Sequence, residues 1–319
     1  MERGPTGAGL PAAMLRPMRQ NPLGRSELTV SAVGLGCNNF GRRLDKDGTR
    51  AVIDAALEHG VTFLDTADVY GGAGASEQLI GELLEGRRDG VVLATKFGMD
   101  MGGNGDVPRG SRAYARRAID ASLRRLRTDV IDLYYLHEPD GITPLAESIG
   151  ALAELADEGK IRTYGVSNLD AAQLREVVAS GDDRLVALQN EYNLLEREDE
   201  ADVLPFAREH GVGYIPYFPL ASGVLSGKFR RGEAPPEGTR MASRADQLTD
   251  DLFDRVEALD AFAADRGHTL LELAIAGLAS QPGIPSVIAG AMRPEQIAAN
   301  VAAAEWELSV ADLRALAEV

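Results

Sequence analysis

From about residue 30 onward, short apolar or β-branched runs alternate with longer stretches in which apolar residues return every three or four positions. The runs fall at residues 32–35, 61–64, 91–95, 131–136, 161–166, 185–188, 213–215 and 286–288, eight in all. Helical periodicity occupies 48–59, 76–84, 111–126, 144–158, 170–180, 201–210, the pair 250–265 and 270–279, then 294–304 and 310–317. Start signals support several of these. Thr143 before Pro144 predicts a cap followed by proline at the first helical position. Asp170 with Gln173, and Ser309 with Asp312, have the spacing of capping boxes. His59 and His210 each precede a glycine at a predicted helix C-terminus, where a left-handed cap is favoured.

Early strands recur at roughly 30-residue spacing, the size of one βαβ unit. Nearly continuous apolar strands alternating with amphipathic helices imply a parallel sheet covered by helices. Eight units favour an α/β fold closed as a (β/α)8 TIM barrel, with extra helices at the C-terminus. The doubly wound sheet is the rival. Gly34-Leu35-Gly36-Cys37-Asn38-Asn39 approaches its dinucleotide fingerprint but lacks the third glycine, and 40–46 does not open a helix, so it reads as a tight turn. Gly71, Gly72 and Gly74 lack the lysine and hydroxyl of a phosphate loop.

The chain has 319 residues, a length suited to one such barrel. Its net charge of −16 argues against a nucleic-acid partner, which needs a basic face. A lone cysteine, Cys37, leaves no intrachain disulfide and fits a cytoplasmic location. No apolar run approaches the roughly 20 residues that span a bilayer. Residues 1–17 lack the apolar core of a signal peptide and read as a disordered extension, with a single domain over 18–319.

Polar residues mark the ends of the strands. The second strand runs into Asp65 and, five residues later, Tyr70; the third ends at Lys96 and the fourth at His137. The fifth ends at Ser167 and Asn168, the sixth at Gln189 and Asn190, the seventh at Tyr217. In a parallel barrel these ends share the rim where active sites form. Singly, each has a plain structural reading: Asp65 as a turn cap, Lys96 as a solvated lysine, His137 as a satisfied histidine. Together they describe one chemistry. A phenol titrates near 10 and stays protonated at neutral pH, while an adjacent ammonium favours its anion. Tyr70 then protonates a carbonyl oxygen as hydride reaches the carbon, Asp65 holds Lys96, and His137 donates a hydrogen bond to the same oxygen. No metal is called for, since His59, His137, His210 and His268 show no ligand spacing.

The series Phe63-Leu64-Asp65-Thr66-Ala67-Asp68-Val69-Tyr70-Gly71, Thr95-Lys96, Leu136-His137 and Gly165-Val166-Ser167-Asn168 resembles the aldo-keto reductase superfamily. So do Gln189-Asn190-Glu191-Tyr192-Asn193, Tyr217-Phe218-Pro219-Leu220-Ala221-Ser222-Gly223, and Gly290-Ala291-Met292-Arg293-Pro294-Glu295-Gln296 with Asn300. The motifs stand in order over about residues 22–317. The resemblance implies a barrel opened by a β-hairpin, here within 20–30, and a tetrad of Asp65, Tyr70, Lys96 and His137. It further implies NADP(H), its nicotinamide amide held by Ser167, Asn168 and Gln189 and its ring stacked on Tyr217. Leu220, Ser222, Gly223 and Lys228 would wrap the pyrophosphate, Gly290 and Arg293 would lie at the 2′-phosphate, and Gln296 and Asn300 at the adenine.

Two departures bear on this. Gly290-Ala291 stands where many relatives carry Lys-Ser, leaving Arg293 as the charged ligand for a 2′-phosphate and keeping NAD(H) open. Phe218 stands where serine is frequent, which removes one pyrophosphate contact; Arg230 and Arg231 read either as replacements for it or, more commonly for such a pair, as solvated surface cations. The substrate mouth is expected at Asn38, Asn39 and Phe40 and along the loop 97–110 from Phe97; the asparagines hint at a small polar carbonyl such as a sugar. The aperiodic segment 226–247 is long enough to close over the cofactor. Alternatives to an NADP(H)-linked carbonyl reductase are an NAD-dependent sugar or alcohol dehydrogenase and a cofactor-binding regulatory subunit of the kind that associates with channels.

Overall fold

In the computed structural model, which describes residues 18–102, 107–180 and 182–319, the chain opens with the expected hairpin. β1 (Gln20–Pro22) pairs antiparallel with β2 (Thr29–Ser31). The expected extension over 1–17, and the middle of the expected mouth loop 97–110, lie outside the described residues.

The eight apolar runs form one parallel sheet. β3 (Val33–Gly36) precedes α1 (Lys46–Glu58), β4 (Phe63–Asp65) precedes α2 (Ala75–Leu83), and β5 (Val92–Phe97) precedes α3 (Arg112–Leu126). β6 (Ile131–Leu136), α4 (Leu145–Asp157), β7 (Ile161–Ser167), α5 (Ala171–Val178), β8 (Leu185–Glu191) and α6 (Val203–Glu209) continue the alternation. β9 (Gly213–Tyr217) is followed by α7 (Asp250–Ala264) and α8 (Leu270–Ala279), and β10 (Val287–Gly290) by α9 (Pro294–Ala303) and α10 (Val310–Ala317). The hydrogen-bonded order is β10-β3-β4-β5-β6-β7-β8-β9, a sheet curled into a nearly closed barrel. The seam between β9 and β10 is bridged by the Tyr214 amide donating to the Gly283 carbonyl at 2.9 Å.

Two apolar layers result. One fills the interior with Phe63, Ala94, Leu133, Tyr135, Val186 and Ile215; the larger lies between strands and helices. Leu23 and Val30 of the hairpin, both fully buried, join the interior layer and plug one end. Gly24 shows which end. At φ +53°, a Cβ there would stand 2.3 Å from the Val186 carbonyl, so the hairpin seats against the N-terminal ends of the strands. The opposite rim, with all the polar strand ends, stays open.

Capping follows the sequence with one exception. Asp170–Gln173 and Ser309–Asp312 are full capping boxes, as is Thr269–Glu272. Pro144, at ψ 136°, is itself the residue before α4, and Thr143 does not cap it. Thr143 donates its backbone amide and hydroxyl to Asp140, which also accepts from Ile142 and Gly110. Although partial burial opposes it, that set of donors holds the Asp140 carboxyl down at about 2.

Candidate active site

The open rim leads into a cleft of about 1070 Å³. Near its floor stands a buried ion pair, with Lys96 Nζ donating to Asp65 Oδ2 at 2.5 Å and to the Thr66 carbonyl at 2.8 Å. Gln189 Nε2 donates to the other Asp65 oxygen at 3.0 Å, so both oxygens of this carboxylate are engaged. Lys96 is fully buried, and its Nζ lies 5.2 Å from the centre of the Tyr70 ring. The His137 ring meets Tyr70 edge-on, centroids 5.7 Å apart at 80°. The four residues named from the strand ends therefore converge.

Ladder positions explain why. Lys96 is an internal residue of β5, paired across the sheet with Tyr135, and Asp65 ends β4 opposite Gly36 of β3. Tyr70 follows on the loop into α2, where the Tyr70 amide donates to the Ala67 carbonyl and Asp68's to that of Lys96. Gly74 lets this loop turn: at φ +93°, a Cβ would meet the Arg125 side chain at 2.4 Å, and Arg125 needs that space to pair with buried Glu77. The glycine-rich stretch is thus a packing device. Asp68, buried with one carboxylate oxygen unpartnered, is pushed up to about 8 by burial and by Glu77, against the pull of Arg125.

The titration of the site differs from the sequence-based expectation in one respect. Burial raises the Tyr70 phenol above its usual value, and Lys96, though it pulls the other way, does not reverse the shift. Tyr70 is therefore a fully protonated donor throughout the physiological range. Lys96 is held above its ordinary value: burial pulls it down, but Asp65 and Tyr70 outweigh that. His137 is driven well below its usual value by burial first and by Lys96 second, so it is a neutral imidazole. Its Nδ1 is buried without a partner among the described residues.

Because that shift is downward, His137 gains its proton only well below its ordinary 6.5. Any turnover at this site should show no inflection near pH 6.5; a kcat/KM profile from pH 5.5 to 8 with a step there would contradict the neutral assignment.

Beyond the tetrad, Ser167 pairs in register with Gln189 across β7 and β8, and both line the cleft. Asn168 is exposed and left-handed at φ 59°; its amide donates to the His137 carbonyl at 2.9 Å and accepts from the Tyr217 hydroxyl at 2.8 Å. Leu220, Ser222, Gly223, Lys228, Gly290, Arg293 and Gln296 also line it, with Ser222 and Gly223 at φ 58° and 98°. Gln296 accepts from the Met292 amide at 2.7 Å. Asn300 is buried on α9 and is not among the lining residues.

Phe40 and Phe97 are corrected: both are fully buried in the core, Phe97 stacked 5.2 Å from Tyr134, and neither reaches the cleft. Strong apolar burial on the far side of the chain outcompetes exposure at the mouth. Asn39 does line it, as do Phe218, Met99 of the 97–110 loop and Arg240 of the 226–247 segment; Glu138, next to His137, is a lining residue that the sequence pattern did not single out. Of the two readings of Arg231, the surface one fits: it pairs with Asp250, Asp254 and Glu257 around α7 and is not among the residues lining the cleft. Segment 226–247 does cross the mouth: Gly238 accepts from Arg43 at 3.1 Å, and Arg240 donates to Asn38 at 3.1 Å.

The cleft suits an anionic dinucleotide on its own chemistry. An aromatic face at Tyr217, amide donors and acceptors beside it, a left-handed backbone turn at Ser222–Gly223, and two cations, Lys228 and Arg293, follow one another along its wall. Neither cation has an ion-pair partner among the described residues, although the protein as a whole is strongly acidic. No group of three or more His, Cys, Asp or Glu side chains among those residues is arranged to hold a metal. None of the described helices is long and apolar enough to cross a membrane.

Comparison with known proteins agrees with this architecture. The chain is 36% identical over 306 residues to a probable voltage-gated potassium channel subunit beta of Arabidopsis thaliana, covering 90% of this chain and 92% of that one. It is 34% identical over 306 residues to the aldo-keto reductase YhdN of Bacillus subtilis, covering 92% and 91%. Among solved structures, aldo-keto reductase AKR11C1 from Bacillus halodurans (holo form) superposes with a TM-score of 0.80 at 34% identity, covering 94% of this chain and 96% of that one. The model of the aldo/keto reductase family matches residues 32–319, and the chain belongs to that family.

Proposed function

We propose that this protein reduces an aldehyde or ketone to the alcohol, using NADPH, with Tyr70 as the proton donor. The observation that carries the reading is the convergence of a protonated phenol, a buried ammonium and a neutral imidazole at the floor of one cleft. Bound along the cleft wall, a reduced nicotinamide would supply hydride to the carbonyl carbon. Tyr70 gives its proton to the carbonyl oxygen, and the phenolate left behind faces Lys96. Asp65 and the Thr66 carbonyl fix the ammonium, while His137 orients the oxygen by donating its ring N–H. Ser167, Asn168 and Gln189 hold the nicotinamide amide, Tyr217 stacks on the ring, and Ser222, Gly223 and Lys228 take the pyrophosphate.

Preference for NADPH rests on Arg293, exposed at the start of α9 and free of carboxylate partners among the described residues. Charge-assisted hydrogen bonds to a phosphate are strong, so Arg293→Ala should weaken NADPH binding by about ten- to a hundredfold. NADH binding should move far less. Fluorescence titration of both cofactors checks this, and equal losses would remove Arg293 from the 2′-phosphate. The reaction itself is tested by following the reduced-cofactor absorbance with an activated aldehyde. A protein that binds NADPH tightly yet oxidises none would favour the second reading, a cofactor-binding regulatory subunit, which the names of the plant relatives keep in view.

A further inference from the structure

The strand that carries Lys96 and the loop that carries Tyr70 are tied together on the side facing away from the cleft. Neighbouring residues of a strand face opposite ways. Lys96 pairs across the sheet with Tyr135 of the interior layer, so Thr95 turns outward, paired with Tyr134 of the layer under the helices. There the Thr95 hydroxyl donates to Glu77 Oε1 at 2.6 Å. Arg125 Nε donates to Glu77 Oε2 at 2.6 Å, and Arg125 Nη2 lies 2.6 Å from the same oxygen. One wholly buried carboxylate in the first turn of α2 therefore joins β5, directly behind Lys96, to the end of α3.

Close packing keeps that junction tight. Gly81 on α2 faces α3 so nearly that a Cβ would stand 2.3 Å from the Arg125 carbonyl. Ser76, the residue before Glu77, holds the Tyr70 segment: its amide donates to the Tyr70 carbonyl at 3.2 Å and its hydroxyl to the Cys37 carbonyl at 3.0 Å. At the other end of the loop, the Asp68 amide donates to the Lys96 carbonyl at 3.1 Å. Tyr70 thus stands between a tie to Lys96 and a tie to the turn that Glu77 anchors.

Stability alone does not call for an acid here. A buried ion pair exchanged for well-packed apolar groups is often neutral or stabilising, because desolvation offsets the attraction. What apolar contact lacks is direction, whereas charge-assisted hydrogen bonds fix distance and angle between the elements they join. A proton donor gains from that, since a misplacement of about 1 Å can cost on the order of a hundredfold in rate.

We propose that Glu77 is a positioning residue for the reaction: by joining Thr95 to Arg125 it sets where Tyr70 stands relative to Lys96. It acts from behind, for it is not among the residues lining the cleft. The inference rests on the reductase reading and deepens it.

A double-mutant cycle on the full-length protein tests it, with an activated aldehyde and saturating NADPH. Glu77→Gln keeps the shape and an acceptor for Thr95 but turns an N–H toward Arg125. Its kcat should fall by about ten- to a hundredfold, while KM and the NADPH Kd each move by less than about threefold. In a Tyr70→Phe background the same change should cost less than about threefold more, because the group it positions is gone. Equal losses in both backgrounds would give Glu77 to the fold alone and overturn the inference, leaving the reductase reading in place. Thr95→Val should reproduce part of the loss, and Thr95→Ser should restore wild-type kcat. Hydrogen exchange in cofactor-free protein reads the same tie without turnover: amides of residues 66–77 should exchange at least about tenfold faster in Glu77→Gln, with β7 to β9 unchanged. Unaltered exchange over 66–77 counts against the proposal as firmly as additive kinetics. Where Glu77→Gln does not fold, Glu77→Met combined with Arg125→Met replaces the pair by apolar groups, and wild-type kcat in that variant sinks the idea. A wild type that reduces no aldehyde, or a Tyr70→Phe variant with undiminished kcat, overturns the reductase reading and this one with it.

Discussion

Tyr70→Phe should lower kcat for aldehyde reduction by at least about a hundredfold, the contribution expected of one positioned proton transfer. The change removes one oxygen and keeps the ring, so the edge-on contact with His137 and the position over Lys96 survive. NADPH affinity, measured by fluorescence titration, should stay within about threefold, because the proposed cofactor contacts belong to other strands. Loss of binding in parallel with turnover would mean that Tyr70 shapes the cleft without delivering the proton. The direction of its shift adds a second expectation. Burial keeps the phenol protonated well past neutrality, so reduction by wild type should not fall between pH 7 and 9 through loss of this proton. In the proposed mechanism Lys96 acts later, when negative charge appears on the oxygen, since its effect on the resting phenol is outweighed by burial.

How far the sequence foretold this differs from element to element. All eight barrel strands were visible as apolar runs, and β6 occupies the very residues anticipated, because every one of its side chains is buried. The other strands extend beyond their apolar cores. β5 continues to Phe97, β7 to Ser167, β8 to Glu191 and β9 to Tyr217. Ladder hydrogen bonds involve the backbone alone, so a strand continues through polar residues that hydrophobic patterning assigns to the loop. The consequence is functional: Lys96, Ser167, Gln189 and Tyr217 lie inside strands, held by ladder partners rather than by loops.

Loop residues were harder to read. A buried aromatic and a mouth-lining one look alike in sequence, and Phe40 and Phe97 were placed at the mouth although both turn into the core. Segment 226–247 gave only its length as a signal. That Arg240 meets Asn38, 202 positions earlier, depends on how the barrel brings the two loops together, and no local pattern records it. Nor did spacing reveal that Glu77, wholly buried, ties Thr95 to Arg125 behind the loop that carries Tyr70.

Lys96→Met should cost both folding and turnover, and the two losses should be separable. Lys96 is fully buried and Asp65 nearly so, and they meet at 2.5 Å. Removing one partner of such a pair leaves an uncompensated charge, a loss of about 3–5 kcal/mol by urea unfolding. Replacing both is far milder, since a buried pair exchanged for neutral groups of similar volume is often close to neutral in stability. Asp65→Asn with Lys96→Met should therefore recover most of the lost stability, helped by the bond Gln189 can still donate to residue 65. Turnover should not recover, because no cation then faces the phenolate as the proton departs, and the double variant should stay at least about a hundredfold below wild type. A single Lys96→Met variant as stable as wild type would show that the two groups are not a buried ion pair in solution. A double variant with wild-type kcat would show instead that the ammonium serves the fold alone, and the proton transfer assigned to Tyr70 would need another source of stabilisation.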